Sequence, residues 1–334
     1  MSAIVALLPV TAFLLLLVLF DSFKLVPRLM LVRALAMGSV AALLMLPLHA
    51  WLLSVTGLTP SAFSKYVAPV TEETLKTFCL LYPLRRREVG FLVDAAIIGF
   101  AVGTGFALVE NIDYLRSLGE VRFLVWVVRG FGTAVLHATT AAIIAIAAKS
   151  LGDRFPERGW LVIVPGWIAA ILLHSLFNHA LVSPVLAAAM LLLVLPIVVI
   201  SVFGRSERKT REWVGEGLDL DVELLGLVRS MHFGGTRLGR YLNELTSRFP
   251  GPVVADMFCL LQLDLELAIR AKGMLMAREA GLELPIDGSI KERLAEREYL
   301  QHQIGPTGLL ALRPLQMTSD RDDWHQYLLK HAGR

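Results

Sequence analysis

The sequence predicts an all-α protein: a polytopic membrane helix bundle of about seven spans, followed by a C-terminal helical cytoplasmic domain. Three observations predict it. Hydrophobic residues make up 55% of the chain and charged ones only 18%, against roughly 25% charged in soluble domains. The bias is uneven, with long apolar runs up to about residue 204 and charge spread throughout from Arg205 onward. Basic residues also collect in alternate links between the runs. The boundary therefore separates a transmembrane domain over 1–204 from a helical domain over 205–334.

A span needs about 20 predominantly apolar residues. Seven stretches qualify, roughly 2–20, 29–56, 66–83, 89–115, 121–149, 159–181 and 184–204. The first lacks the basic start and small-residue cleavage site of a signal peptide, so it is expected to be retained. Lys24, Arg28 and Arg33, the run "RRRE" at 85–88, then Lys149, Arg154 and Arg158, and finally "RSERKTR" all fall on one side if seven spans alternate. Positive residues mark the cytoplasmic side. This places the amino terminus outside and the tail in the cytoplasm, with Arg116 and Arg122 as the exception. The net charge of +3 carries no nucleic-acid signature, and Cys79 and Cys259 have no metal-ligand spacing.

A charged side chain near the centre of a membrane helix costs about 2.5–3.5 kcal/mol on insertion scales. Such residues therefore turn toward a bundle interior or water. Here they form four groups. "VTEETLK" opens the third span with adjacent Glu72 and Glu73, and Lys76 one turn on can pair with either. The bland reading is an N-terminus with Thr71 as cap and acids in the first turn.

The second group, "GFAVGTGFALVENIDYL", brings Glu110, Asn111 and Asp113 into the fourth span. Gly99, Gly103 and Gly105 would admit a closely packed neighbour helix. No strand precedes "GTG", so it is not a dinucleotide fingerprint. The third group centres on His137, with Thr133, Thr139 and Thr140 nearby, in the fifth span. The fourth is "HSLFNH", where His174 and Asn178 share a helical face. Packing histidines and interhelical amides are the dull alternatives, Asn111 and Asn178 among them.

If the polar faces of helices three to six meet, they surround one cavity with carboxylates, two imidazoles and an amide. That is an inventory for hydrolysis. A carboxylate or imidazole takes a proton from water, and Asn178 or a ring N–H can hold an oxyanion. A zinc site would use the same parts with His and Glu as ligands and one open position. Glu110, His137 and His174 are the ligands expected in that case.

"EETLK", "FALVEN", a histidine followed by threonines, and "HSLFNH", in that order over about residues 60–205, resemble the PrsW family of intramembrane proteases. Its wider clan includes type II CAAX prenyl proteases and bacteriocin-processing proteases. The resemblance implies cleavage of a membrane-tethered or single-span protein within the bilayer, as in processing of an anti-sigma factor. It implies a bacterial inner (cytoplasmic) membrane as the location. By motif, Glu72 and Glu73 are the glutamate pair, Glu110 the second polar position, His137 the third, and His174 with Asn178 the fourth. Glu73 would be the general base slightly ahead of Glu72, His174 and Asn178 would hold the oxyanion, and Glu110 and His137 would orient water. The type II prenyl proteases carry histidine where this chain has Glu110. Metal dependence stays open, because no HExxH helix is present.

The tail reads as amphipathic helices punctuated at Pro250-Gly251-Pro252, Pro285 and Gly305-Pro306. Its apolar stretch over 252–277 must bury a face against other helices, a cytoplasmic partner or a second copy. "DRDDWHQYLLKHAG" is expected to close the chain as a helix, while "GPTGLLALRPL" is one more point of likeness to PrsW-like proteins. His232, His302, His325 and His331 show no ligand spacing. Two other classes use similar parts. A proton-coupled transporter or channel also lines a cavity with Glu and His, but no internal repeat of the transporter kind is found. A non-catalytic scaffold would lose the polar groups that every motif here keeps.

Overall fold

The computed structural model describes every residue except 22–25, 86–88, 119–120, 231, 281, 283–288 and 313–334. Lys24, most of "RRRE", Pro285, the end of "GPTGLLALRPL", "DRDDWHQYLLKHAG", His325 and His331 thus lie outside the described residues. The described residues hold helices and turns and no strand. The chain divides into two compact units, Met1–Glu207 and Arg208–Arg334.

Among the described residues, six helices are long and apolar enough to cross a membrane: α1 (Ser2–Phe20), α2 (Arg28–Thr56), α5 (Leu92–Ser117), Phe123–Arg154 and Glu157–Asn178 in the first unit, and α9 (Pro184–Arg229), which begins in it. Phe123–Arg154 comprises α6 (Phe123–Val127), a π-helical turn over Val128–Thr133 and α7 (Ala134–Arg154). Glu157–Asn178 ends in α8 (Val164–Asn178). The remaining expected span, 66–83, forms α4 (Ala68–Arg85). It falls outside those six by composition, because Glu72, Glu73 and Lys76 lie within it. These groups point inward and are buried, whereas Phe78 and Tyr82 of the same helix are exposed. α4 is therefore polar inside and apolar outside, the reverse of a soluble amphipathic helix.

α5 and α7 form the centre, with α1, α2, α4 and α8 packed around them. Lipid tails are as apolar as leucine, so close van der Waals packing holds such helices together. Small residues make that packing possible. A Cβ added to Gly103 would stand 2.2 Å from His137 O on α7, far inside contact distance. Gly99 likewise meets α7, and Gly105 meets the Leu35 carbonyl of α2. The expected glycine face of the fourth span is thus used on two sides. At the start of α5, the buried Asp94 carboxylate accepts the N–H groups of Phe91 at 2.8 Å and Gly90 at 3.2 Å. It satisfies two backbone donors that apolar surroundings would otherwise orphan.

A short helix, α3 (Pro60–Tyr66), precedes α4. Thr59 caps it by accepting Ala62 N–H, and Pro60 opens its first turn. α4 begins at Ala68, so Thr71 is a turn inside it rather than at its cap. Its hydroxyl donates back to the Val67 and Ala68 carbonyls. The capping role expected of Thr71 is overturned, because helical backbone already extends N-terminal to it.

In the second unit, α10 (Arg237–Leu245), α11 (Gly251–Glu279) and α12 (Ser289–Leu312) share a core that includes Leu242, Met257, Leu260, Leu267 and Ile304. The apolar face of α11 is buried there against α12 and α10. Its charged residues are paired, Asp264 with Arg297 at 2.5 Å and the buried Lys272 with Asp221 at 2.7 Å. Glu266 pairs with Arg229 and Arg293. His232 and His302 are exposed.

Candidate active site

The inward face of α4 meets α5, α7 and α8. Glu73, Lys76, His137 and His174 are all buried, and Glu73 and Lys76 are fully so at 0% exposure. Glu73 Oε1 accepts from Lys76 Nζ at 2.6 Å, His174 Nδ1 at 2.8 Å and Thr140 Oγ1 at 3.1 Å. Lys76 has therefore taken Glu73 of its two potential partners. Its ammonium also lies 5.0 Å from the centre of the Phe106 ring.

These contacts fix both imidazoles. A carboxylate only accepts, so His174 donates to Glu73 through Nδ1–H and keeps the Nε2 lone pair. That nitrogen lies 3.9 Å from Glu72 Oε2. Lysine only donates, so Lys76 Nζ, 3.1 Å from His137 Nδ1, makes Nδ1 an acceptor. The His137 Nε2–H then points to Glu110 Oε2 at 3.0 Å. His137 Nδ1 is 3.7 Å from Glu72 Oε2. Both rings thus present an unprotonated nitrogen toward Glu72, and each is held from behind by a carboxylate. The rings meet edge to face, with centroids 4.9 Å apart.

Glu72 Oε2 is buried and has no hydrogen-bond partner among the described residues. A buried carboxylate oxygen without a donor is costly, and this one lies beside two unprotonated ring nitrogens, His174 Nε2 and the His137 Nδ1 that accepts from Lys76. Glu72, His137 and His174 offer ligand atoms all within 4.8 Å of one another. Three carboxylates (Glu72, Glu73, Glu110) face two cations (Lys76, Arg129), which leaves one formal negative charge. Donor chemistry, charge and the carboxylate behind each ring fit a divalent ion. The three that converge are Glu72, His137 and His174, whereas Glu110, expected from the sequence as the third ligand, is the hydrogen-bond partner of His137 Nε2.

Five of the six expected site residues come together: Glu72, Glu73, Glu110, His137 and His174. Asn178 does not. Its Nδ2 donates to Ser64 O of α3 at 2.8 Å, and Ser175 Oγ donates to Lys65 O at 2.8 Å. Both therefore satisfy carbonyls in the last turn of α3, where a helix leaves acceptors open. Asn111 does act across helices, donating to Ala6 O of α1 at 2.7 Å.

Two residues at the site were not singled out from the sequence. His49 of α2 contacts Thr71 Oγ1 at 2.8 Å and approaches Glu72 Oε1 at 3.9 Å. Arg129 reaches Glu110 Oε2 at 3.2 Å. His49 has no polar neighbour within a turn to mark it, as the threonines mark His137, and Arg129 sits in the π-helical turn, where regular helical spacing misplaces it.

A membrane helix bundle that gathers carboxylates and imidazoles around one point fits the class of membrane-embedded hydrolases, as it also fits proton-coupled transporters. The family model of the PrsW family intramembrane metalloproteases matches residues 25–203, more than half of the chain, and the chain belongs to that family. It is accordingly an intramembrane peptidase and an integral membrane protein. No curated protein and no solved structure matches the chain.

Proposed function

We propose that this peptidase cuts a membrane-tethered or single-span protein, using Glu72, His137 and His174 to hold a zinc-type ion. The reading is carried by Glu72 Oε2, buried, without a hydrogen-bond donor, and 3.7 and 3.9 Å from two imidazole nitrogens. When bound, the ion supplies Lewis-acid polarisation of the scissile carbonyl and acidifies water. Glu73 holds the His174 ring through Nδ1, and Glu110 holds His137 through Nε2. Lys76 and Thr140 anchor Glu73 Oε1, while Glu73 Oε2 has no partner among the described residues. That oxygen is assigned the proton of the attacking water and its delivery to the leaving amine. Asn178 is assigned to anchoring α3 instead of the oxyanion, since its amide donates to Ser64.

The proposed setting is a bacterial inner membrane with the amino terminus outside and 205–334 in the cytoplasm, supported by the basic links. There the tail module would meet a cytoplasmic partner or a second copy. A second reading has one specific observation in its favour. Lys76 Nζ already donates to His137 Nδ1 at 3.1 Å, which suits glutamate-activated water without an ion.

Purified protein in liposomes, given a single-span candidate substrate, decides between them. The first reading expects one equivalent of bound metal, loss of cleavage on chelation and recovery with zinc. Full cleavage after exhaustive removal of metal transfers the mechanism to the second reading. Ion flux with no proteolysis contradicts both.

A further inference from the structure

Arg129 opens the stretch that carries His137 but is not among the residues singled out from the sequence, yet its side chain is held on three sides. Its Nε donates to Asn111 Oδ1 at 2.9 Å. Its guanidinium carbon lies 3.5 Å from the Tyr114 ring centroid, a cation–π stack. Its Nη2 forms an ion pair with Glu110 Oε2 at 3.2 Å, without hydrogen-bond geometry. That same oxygen accepts from His137 Nε2 at 3.0 Å. Asn111 is tied in turn to Ala6 O of α1. A continuous chain of polar contacts thus runs from α1 through Asn111, Arg129 and Glu110 to the His137 ring.

The backbone is shaped for this contact. Arg129 and His137 are eight positions apart, which on a regular α-helix separates them by about 80° around the axis. Arg129 sits in the π-helical turn Val128–Thr133, the rest of which lies between it and His137. The turn's wider hydrogen-bond pattern absorbs one residue, so the pair behaves like a seven-residue spacing, within about 20° of one face. Gly130 in that turn packs on the Val5 carbonyl of α1, where a Cβ would clash at 1.9 Å. A π-turn costs helical hydrogen-bond quality, and its effect here is to bring Arg129 and His137 onto one carboxylate.

We propose that Arg129 is a positioning residue of the proteolytic centre: held by Asn111 and Tyr114, it pins Glu110 against His137 Nε2 and so keeps His137 Nδ1 turned toward Glu72. The proposal rests on the functional reading above. Arg129 does not touch substrate; it acts through Glu110.

The test uses the full chain in liposomes, with three variants beside the wild type: Arg129→Gln, Arg129→Lys and Glu110→Gln. For wild-type protein that cleaves and binds zinc, Arg129→Gln is expected to lower kcat and zinc affinity by about 10- to 100-fold, the typical scale for loss of a group behind a ligand histidine. KM should stay within about twofold, since a residue remote from substrate leaves uniform binding intact. Arg129→Lys keeps the charge but cannot bond Asn111, stack on Tyr114 and reach Glu110 together, so it should fail to rescue. The double variant Arg129→Gln with Glu110→Gln should be no worse than Glu110→Gln alone, the signature of one shared path. If Arg129→Gln fails to fold, Arg129→Lys carries the same kcat and zinc comparison. Wild-type kcat and zinc affinity in a folded Arg129 variant, or additive losses in the double variant, overturn the proposal. A wild-type protein that neither cleaves nor binds metal overturns the functional reading itself, and this inference with it.

Discussion

Glu73 Oε1 and His174 Nδ1 lie 2.8 Å apart although 101 positions separate them in the chain. The contact joins α4 to α8 at a point where Glu73 has no exposed surface. It also decides which ring nitrogen of His174 is free, and so where its lone pair points. One hydrogen bond therefore links the packing of two helices to the chemistry between them.

Glu73 and Lys76 form a fully buried ion pair at 2.6 Å. Removing one partner leaves a buried charge uncompensated, at a cost of about 3–5 kcal/mol. Glu73→Ala should therefore lower the melting temperature of the purified protein as well as abolish cleavage. The double variant Glu73→Ala with Lys76→Met should recover most of the thermal stability and none of the activity. Recovered cleavage in the double variant would show that Glu73 is only a charge partner for Lys76.

Asn178 separates two roles by magnitude. Loss of an oxyanion donor costs about 100- to 1,000-fold in kcat. Loss of an anchoring hydrogen bond costs about 0.5–1.5 kcal/mol of stability. With the Asn178 amide on Ser64 O, Asn178→Ala should reduce cleavage less than about tenfold. Steady-state rates checked against His174→Ala, which should lose at least about 100-fold, make the comparison internal.

Gly103 tests the central helix pair. A Cβ there meets the backbone of His137 and Ala138 at 2.2 and 2.5 Å, and backbone cannot swing aside as a side-chain tip can. Overpacking of this kind typically costs about 1–3 kcal/mol. Gly103→Ala should therefore depress both melting temperature and cleavage, because the residue it displaces is His137. Gly204→Ala, with nothing within 4 Å of its added Cβ, should leave both at wild-type values.

The site was largely legible in the sequence where local spacing suffices. Lys76 is one turn from both glutamates, and the glycines of α5 announce a close neighbour. Polar residues on four successive apolar helices have few places to go except toward one another. What stayed hidden needed three dimensions. Arg129 falls off the His137 face on an ideal helix and returns to it through a π-turn. Glu72 and Glu110 are both carboxylates near His137, and only the ring's two bonded nitrogens separate the group in front from the one behind. Thr71 looks like a cap because acids follow it, yet α4 starts a turn earlier. Asn178 shares a helical face with His174, but its amide goes to an unsatisfied carbonyl of α3, a helix too short to register as a span.

The most direct measurement is the cleavage rate of a single-span substrate in liposomes by Glu72→Gln. The variant keeps nearly the size and shape of the side chain while replacing the carboxylate that faces His137 and His174. The account predicts a folded protein whose rate falls at least about 100-fold and whose metal content drops with it. Wild-type cleavage by Glu72→Gln would contradict it.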